Sequence, residues 1–453
     1  MKSNWIVYTK KADFKAIGER FGIDQVMARI IRNRGLETDE QINMYLNGTV
    51  DDMHSPHLLK DADKCVDILT DKIQAGKKIH IIGDYDIDGI CSTTILYKGL
   101  KAAGADVTFA VPDRIIDGYG INEHLIDEAY NNGTDTIITC DNGIAAIEQI
   151  KYAKEKGMTV IVTDHHDIPF DFVDGEKIHK VPQADAIVNP KQEDCLYPFD
   201  KLCGAGVAFK VIKILYEKCG LNPAGLEEYA ELMAIATIGD VVDLSDENRV
   251  IVKYGLKHLA VTTNIGIRAL VEACELEIDK ISSYHIGFVI GPCLNATGRL
   301  DSARRAIELL LTTDMEDARK KALELRTLNV ERKDITGSDK ELVRISLDDY
   351  RLEGIKEKID GKDREQFETA AREYPLQFIE YWSVDFDFDG RVFRPEMIFS
   401  REKGTLTRVC EKLLPASCPD RSICVKTVDV FGNYTMNVVK QKTSEQQNTE
   451  NLQ

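Results

Sequence analysis

The sequence predicts an α/β protein built on a parallel sheet, with helical additions and a small β-rich tail. Three observations carry this. Between residues 61 and 190, short apolar runs alternate with helical patterns, and apolar strands separated by helices imply a parallel sheet covered on both faces. Three of those runs end in ligand-type side chains: Asp84, Asp86 and Asp88 after KKIHII, Asp141 after DTIITC, and Asp164-His165-His166 after MTVIVT. From residue 376 onward the pattern becomes strand-like alternation around turn signals.

Taken in order, residues 1–60 read as a polar helical cap. An amphipathic pattern over 21–36 places Ile23, Val26, Ile30 and Ile31 on one side, and Thr38 is a good N-cap for the helix after it. Residues 61–190 form the parallel core. Helices are expected over 62–75, 90–103, 123–131 and 144–156, and strands over 79–82, 106–111, 135–140, 158–163 and 185–189. Residues 191–335 are mainly helical, with helices over 204–219 and 226–238 and an interruption at GPCLNATGRL, residues 291–300. A charged helical linker follows over 336–375, then the β-rich tail over 376–440 with a hairpin turn at Asp389-Gly390. Residues 441–453, rich in Gln, Asn, Glu and Thr, are expected to be disordered.

The chemistry sits at the strand ends. In parallel sheets ligands bind outside the C-terminal ends of the strands. Asp84, Asp86 and Asp88 repel one another, and a helix N-terminus offsets only about 1 kcal/mol of that. A divalent cation supplies the missing positive charge, and hard oxygen ligands suit Mg or Mn. Each cluster also has a bland reading: a solvated acidic turn, an N-cap at Asp141, or an exposed turn carrying His165 and His166. Their coincidence on one sheet rim favours the ligand reading. Arg299, ahead of a helix, suits a phosphate clamp, with a surface ion pair as the alternative.

Composition sets outer bounds. The 453 residues exceed one core, so two or three domains are expected. A net charge of −18 argues against nucleic acid as a partner, although a local basic groove can sit on an acidic whole. The 11 cysteines form no CxxC pair, which fits reduced thiols and no zinc finger. The N-terminus shows no apolar leader, and no apolar run is long enough to span a membrane.

The series GDYDIDG, TCDNG, TDHH, GDVVDL and GPCLNATGRL resembles the motif series of the DHH phosphoesterases, specifically the RecJ single-stranded-DNA exonucleases. DRIIDGYG and RIIRNRGL are similar to RecJ segments as well. The likeness covers about residues 1–335 and implies a DHH catalytic domain over 61–335. It implies two divalent metal ions, Mn or Mg, held by Asp84, Asp86, Asp88, Asp141, His165 and Asp240. His166 would stand beside the scissile phosphate, with Asp141, His166 and Arg299 as the catalytic set. Arg114, Tyr119, Asn295 and Arg299 would bind substrate.

The implied activity is metal-dependent 5′–3′ hydrolysis of single-stranded DNA. The implied setting is DNA repair and recombination in the cytoplasm, with single-stranded DNA and other repair proteins as partners. After residue 336 the likeness stops, and the glycine-rich GGH segment of RecJ proteins is not found. FIEYWSVDFDFDG is similar to the C-terminal part of DNA-modification proteins of mobile elements. Its acids Asp385, Asp387 and Asp389 read as solvent-facing on a hairpin rather than as a second metal site. Two other functions stay open: a phosphodiesterase on short oligonucleotides or dinucleotides, and a non-catalytic DNA-binding or assembly protein.

Overall fold

The computed structural model describes residues 11–112, 120–173, 176–274, 276–295, 302–326, 329–334, 340–347, 376, 379–388, 393–401, 406–415, 422–429 and 434–440. Three short helices open it: α1 (Phe14–Phe21), α2 (Gln25–Asn33) and α3 (Asp39–Asn47). Asp13, Asp24 and Thr38 cap them, accepting from the N–H groups of Ala16, Met27 and Gln41, and Thr38 with Gln41 closes a capping box. The amphipathic stretch expected over 21–36 is split. Gly22 takes a left-handed φ of 65° that ends α1, and Asp24 starts α2 anew. The buried face moves with the split: Ala28 and Ile31 are covered, whereas Val26 and Ile30 are exposed.

The core follows as α4 (Ala62–Gln74), β1 (Lys78–Ile82), α5 (Ile87–Ala102), β2 (Asp106–Ala110), α6 (Glu123–Asn131), β3 (Thr136–Cys140), α7 (Ile147–Glu155), β4 (Thr159–Thr163), β5 (Phe170–Val173), β6 (Glu176–His179) and β7 (Ala186–Val188). Strands β2-β1-β3-β4-β7 form one sheet, in that order, with every pairing parallel. Successive side chains serve opposite faces. Ile79, Ile81, Ile138 and Ile161 pack with Val66 and Leu69 of α4 and Ile95 of α5. Ile82, Ile137, Val160 and Val162 pack with Leu125 and Ile126 of α6 and Ile150 of α7. Both faces are dry, which is why the strands read as unbroken apolar runs. β5 and β6 form a separate antiparallel hairpin that the sequence reading did not anticipate, because its short strands carry no core-facing stripe.

Helices α8 (Gly204–Cys219), α9 (Ala230–Gly239), α10 (Asp246–Leu259) and α11 (Ile265–Ala273) extend this core. Among the described residues, no helix is long and apolar enough to cross a membrane. Lys210 of α8, 1% exposed, ties the segment that follows α3 to this layer. Its Nζ pairs with Glu247 Oε2 at 2.6 Å and donates to the His54 carbonyl at 2.7 Å, while Tyr197 Oη–H and the His54 N–H donate to Glu247 Oε1. Lys210→Ala strands a buried carboxylate and is expected to cost about 3–5 kcal/mol in chemical denaturation, whereas Lys210→Met paired with Glu247→Leu recovers much of it. A single variant as stable as wild type would contradict this.

The tail comprises β8 (Asn329–Asp334), β9 (Lys340–Ser346), β10 (Ile379–Asp385), β11 (Met397–Ser400), β12 (Val409–Pro415), β13 (Ser422–Asp429) and β14 (Tyr434–Lys440). One sheet runs β12-β9-β8 and another β11-β10-β13-β14. Between them Val343, Ile345, Trp382, Val384, Phe386, Cys410, Leu414 and Ile423 form a second core. β9 falls inside the stretch expected to be a helical linker. The alternating Val343, Ile345 and Leu347, all buried, make it a strand. β8, placed by sequence in the catalytic domain, pairs with β9 across the expected boundary at 335. Asp385 is not solvent-facing: it is buried, and its two oxygens accept from the N–H groups of Asp387 and Arg394 at 3.1 and 2.7 Å. The expected turn at Asp389-Gly390 and the segment 441–453 lie outside the described residues, as does most of 336–375.

Candidate metal centre

β1 ends at Ile82, and the next turn carries Asp84 and Asp86. Asp86 caps α5, its Oδ1 accepting from the N–H groups of Asp88 and Gly89, each at 3.0 Å. The cap starts α5 at Ile87 rather than at residue 90, so Asp88 lies in the first helical turn. Asp88 in turn meets the N-terminus of α8, where Oδ2 accepts from Gly204 N–H at 2.6 Å and Oδ1 from Ala205 N–H at 2.8 Å. Backbone N–H groups at a helix start favour negative charge there.

Asp141, following β3, holds a φ of 60°, a left-handed conformation that aspartate tolerates better than most residues. Asn142 pins this turn. Its Nδ2 donates to the carbonyls of Ile82 and Cys140 at 3.1 and 2.9 Å, and its Oδ1 accepts from Ile121 N–H at 3.2 Å. The ends of β1 and β3 are therefore stapled together. At the end of β4, buried Asp164 organises both histidines. Its Oδ1 accepts from the N–H groups of His165 and His166 and from His166 Nδ1–H, at 2.7, 3.1 and 2.7 Å, while Oδ2 accepts from Ile144 N–H at 2.9 Å. Asp240 follows α9 and closes the site from the helical layer.

These elements bring ligand-type atoms into three overlapping groups: Asp84, Asp86 and Asp141; Asp141, His165 and His166; and Asp88, His165 and Asp240. Within each group the atoms lie within 4.8 Å of one another. Asp141 belongs to the first two groups and His165 to the last two. His165 Nε2 stands 3.0 Å from Asp141 Oδ1, 3.5 Å from Asp88 Oδ2 and 3.7 Å from Asp240 Oδ2.

The electrostatics describe a site short of positive charge. Burial, then the neighbouring aspartates, push Asp84, Asp86 and Asp141 above the usual carboxylate range. Burial and then Asp88 and Asp86 raise Asp240 to about 7. Burial lowers His165 and keeps it a neutral donor. Burial opposes the charged form of His166 too, but its bond to Asp164 prevails and pushes it up to about 9. Asp84 is 1% exposed, and no side chain among the described residues donates a hydrogen bond to its oxygens. The adjacent Tyr85 amide and His166 offset only part of its burial. A buried carboxylate so placed is costly unless a cation pairs with it. This donor set, carboxylates with one neutral imidazole, fits Mn or Mg.

Of the residues expected to bind substrate, Asn295 is described, and its Oδ1 accepts from Ile87 N–H at 2.6 Å, which fixes the start of α5. Arg114, Tyr119 and Arg299 lie outside the described residues. Sequence reasoning missed Asn142 and Asp164 as positioning groups. It also missed Lys191, just beyond β7, whose Nζ pairs with Asp167 at 2.8 Å and whose charge bears on His165 and Asp240. Its place after a strand end on the same rim was the available signal.

Comparison with known proteins agrees with this geometry. The model of the DHH family, N-terminal domain, matches residues 78–237. The single-stranded-DNA-specific exonuclease RecJ of Bacillus subtilis is 37% identical over 332 residues, covering 73% of this chain and 40% of the relative. The same-named protein of Haemophilus influenzae is 35% identical, covering 70% of this chain and 55% of the relative. The chain thus spans about half the length of the curated relatives it matches. A crystal structure of exonuclease RecJ bound to manganese is 36% identical with a TM-score of 0.52, covering 59% of this chain and 65% of that one. The family model lies over the ligand-bearing sheet and the likeness runs on beyond it, so residues 78–237 are a DHH-family N-terminal domain, in a chain similar to RecJ exonucleases over about 70% of its length.

Proposed function

We propose that this chain is a metal-dependent exonuclease that hydrolyses single-stranded DNA from the 5′ end. The observation that carries the reading is the convergence of Asp84, Asp86, Asp88, Asp141, His165 and Asp240 from three strand ends and two helix ends into overlapping ligand groups. In this reading Asp84, Asp86, Asp88, Asp141, His165 and Asp240 would hold two Mn or Mg ions. Such ions activate water and offset charge on the attacking and leaving oxygens of a phosphodiester. The relatives named above, single-stranded-DNA-specific exonucleases and a manganese-bound RecJ, support both the substrate and the metal.

The chain's own groups do the rest. Asp164 fixes the orientation of the His166 ring and stabilises its positive charge, so His166 can address the scissile phosphate. Asn295 holds the start of α5, and with it Asp86 and Asp88, in register. Arg299, with Arg114 and Tyr119, is assigned to phosphate and strand binding. In this reading the catalytic domain runs from residue 61 to just before β8, behind a helical cap over 1–60. The enzyme works in the cytoplasm on repair and recombination intermediates, alongside other repair proteins. The test is purified chain with Mn or Mg on DNA labelled at the 5′ or 3′ end, single- or double-stranded and of varied length. Mononucleotides released from the 5′ end of single strands are the expected product. Cleavage confined to oligonucleotides of a few residues would replace this reading with a short-substrate phosphodiesterase.

A further inference from the structure

The hairpin between β4 and β7 takes no part in the sheet beside it. Its pairing sets Phe170 opposite His179 and Phe172 opposite Lys177. Residues two apart on a strand share a face. Phe170, Phe172, Lys177 and His179 therefore share one face, and Asp171 and Ile178 the other. The negative charge of Asp171 is turned away and paired with Lys180. Phe172 is 71% exposed and Phe170 44%. Their rings meet edge to face at 5.4 Å, and Lys177 Nζ stands 4.1 Å over the Phe170 ring. Two large aromatic rings held in water beside a cation form an apolar surface against which none of the described residues folds, on an element that is marginal by itself.

Its position gives this face a use. Phe170 follows His166 by four residues, a separation that extended chain spans in at most about 14 Å. The base of the hairpin is fixed: Lys180 N–H donates to the Pro169 carbonyl at 2.7 Å, His179 pairs with Glu193 at 2.9 Å, and Ile168 is buried in the core beneath. The aromatic face thus rises from the rim that carries the ligand groups.

We propose that this face is a stacking platform for bases of the strand being hydrolysed, a few nucleotides from the scissile phosphate. The inference rests on the single-strand nuclease reading above and adds the element that selects strandedness. Every base offers a π-face, and stacking on an aromatic side chain contributes about 1–3 kcal/mol per base whatever its identity. Bases in a duplex are already stacked on one another and cannot use the platform. Lys177, on the same face, offsets the charge of the adjoining phosphates.

The test compares a labelled oligothymidylate with an abasic oligomer of equal length, by fluorescence anisotropy with Ca2+ present. Phe172→Ala is expected to weaken oligothymidylate binding roughly ten- to a hundredfold. It should leave abasic binding and the melting temperature unchanged, and Phe172→Trp should restore the base-dependent part. Equal loss on both ligands would make the effect structural or electrostatic and overturn the platform. A wild type that cuts single strands while Phe172→Ala binds and cuts like it would overturn the platform alone. A wild type that neither binds nor cuts single strands would overturn the nuclease reading, and the platform with it.

Discussion

Asp141→Ala is expected to lower hydrolysis of single-stranded DNA by on the order of a thousandfold or more. Asp141 is the residue shared by the group on the first two strand ends and the group holding both histidines. Removing it therefore disturbs both halves of the site at once. The fold should tolerate the change, because the carboxylate is crowded by Asp88, Asp86 and Asp84 and its loss relieves repulsion. Its φ of 60° disfavours alanine by about 1–2 kcal/mol, so Asp141→Asn, which accepts that conformation, is the cleaner partner variant. A second readout separates metal loss from damage. Mn should raise the melting temperature of wild type through mass action and should do so much less for Asp141→Asn. EDTA should reproduce the loss of activity in wild type. Full activity in either variant would remove Asp141 from the centre.

Gly204→Ala is expected to cost about a hundredfold in activity without removing any ligand. A Cβ at Gly204 would lie 2.7 Å from Asp141 Cβ and 2.9 Å from its Oδ1. Either Asp141 or the start of α8 must move, and α8 is also what holds Asp88 through its N–H groups. A displacement near 1 Å at reacting groups carries a penalty of that size. Gly206→Ala, two residues on, meets only the Leu202 side chain, at 3.3 Å, and should remain near wild type. If both variants were equally active, the close approach at Gly204 would have no bearing on the site.

The parallel sheet was legible because burial on both faces leaves a local trace, as in Ile79, Ile81 and Ile82. The convergence of the candidate ligands was legible for a related reason: charged groups at the ends of such runs have few structural excuses. What escaped depends on contacts distant in sequence. Asp164 reads as one more acid until its bonds to His165, His166 and Ile144 are seen. Asn142 reads as a turn residue, yet it joins two strands 60 residues apart. The start of α5 was misjudged because its cap, Asp86, was read only as a ligand. Phe170 and Phe172 gave no core pattern because they face no core. β9 was hidden by its charged positions, which outweighed the buried alternation of Val343, Ile345 and Leu347.

The ladder between β8 and β9 also bears on how such a chain could be assembled from parts. Asn329 pairs with Ser346 and Asp334 with Glu341, so the seam between the two regions is a shared set of backbone hydrogen bonds rather than a free tether. A different module spliced in at residue 335 would have to bring a strand of matching length and register, since a slip of one residue turns every side chain to the wrong face. A splice ahead of Asn329 carries no such demand, because the whole ladder then travels with the incoming piece. The natural unit of exchange therefore begins at β8, inside the last stretch of sequence that still looks like the relatives.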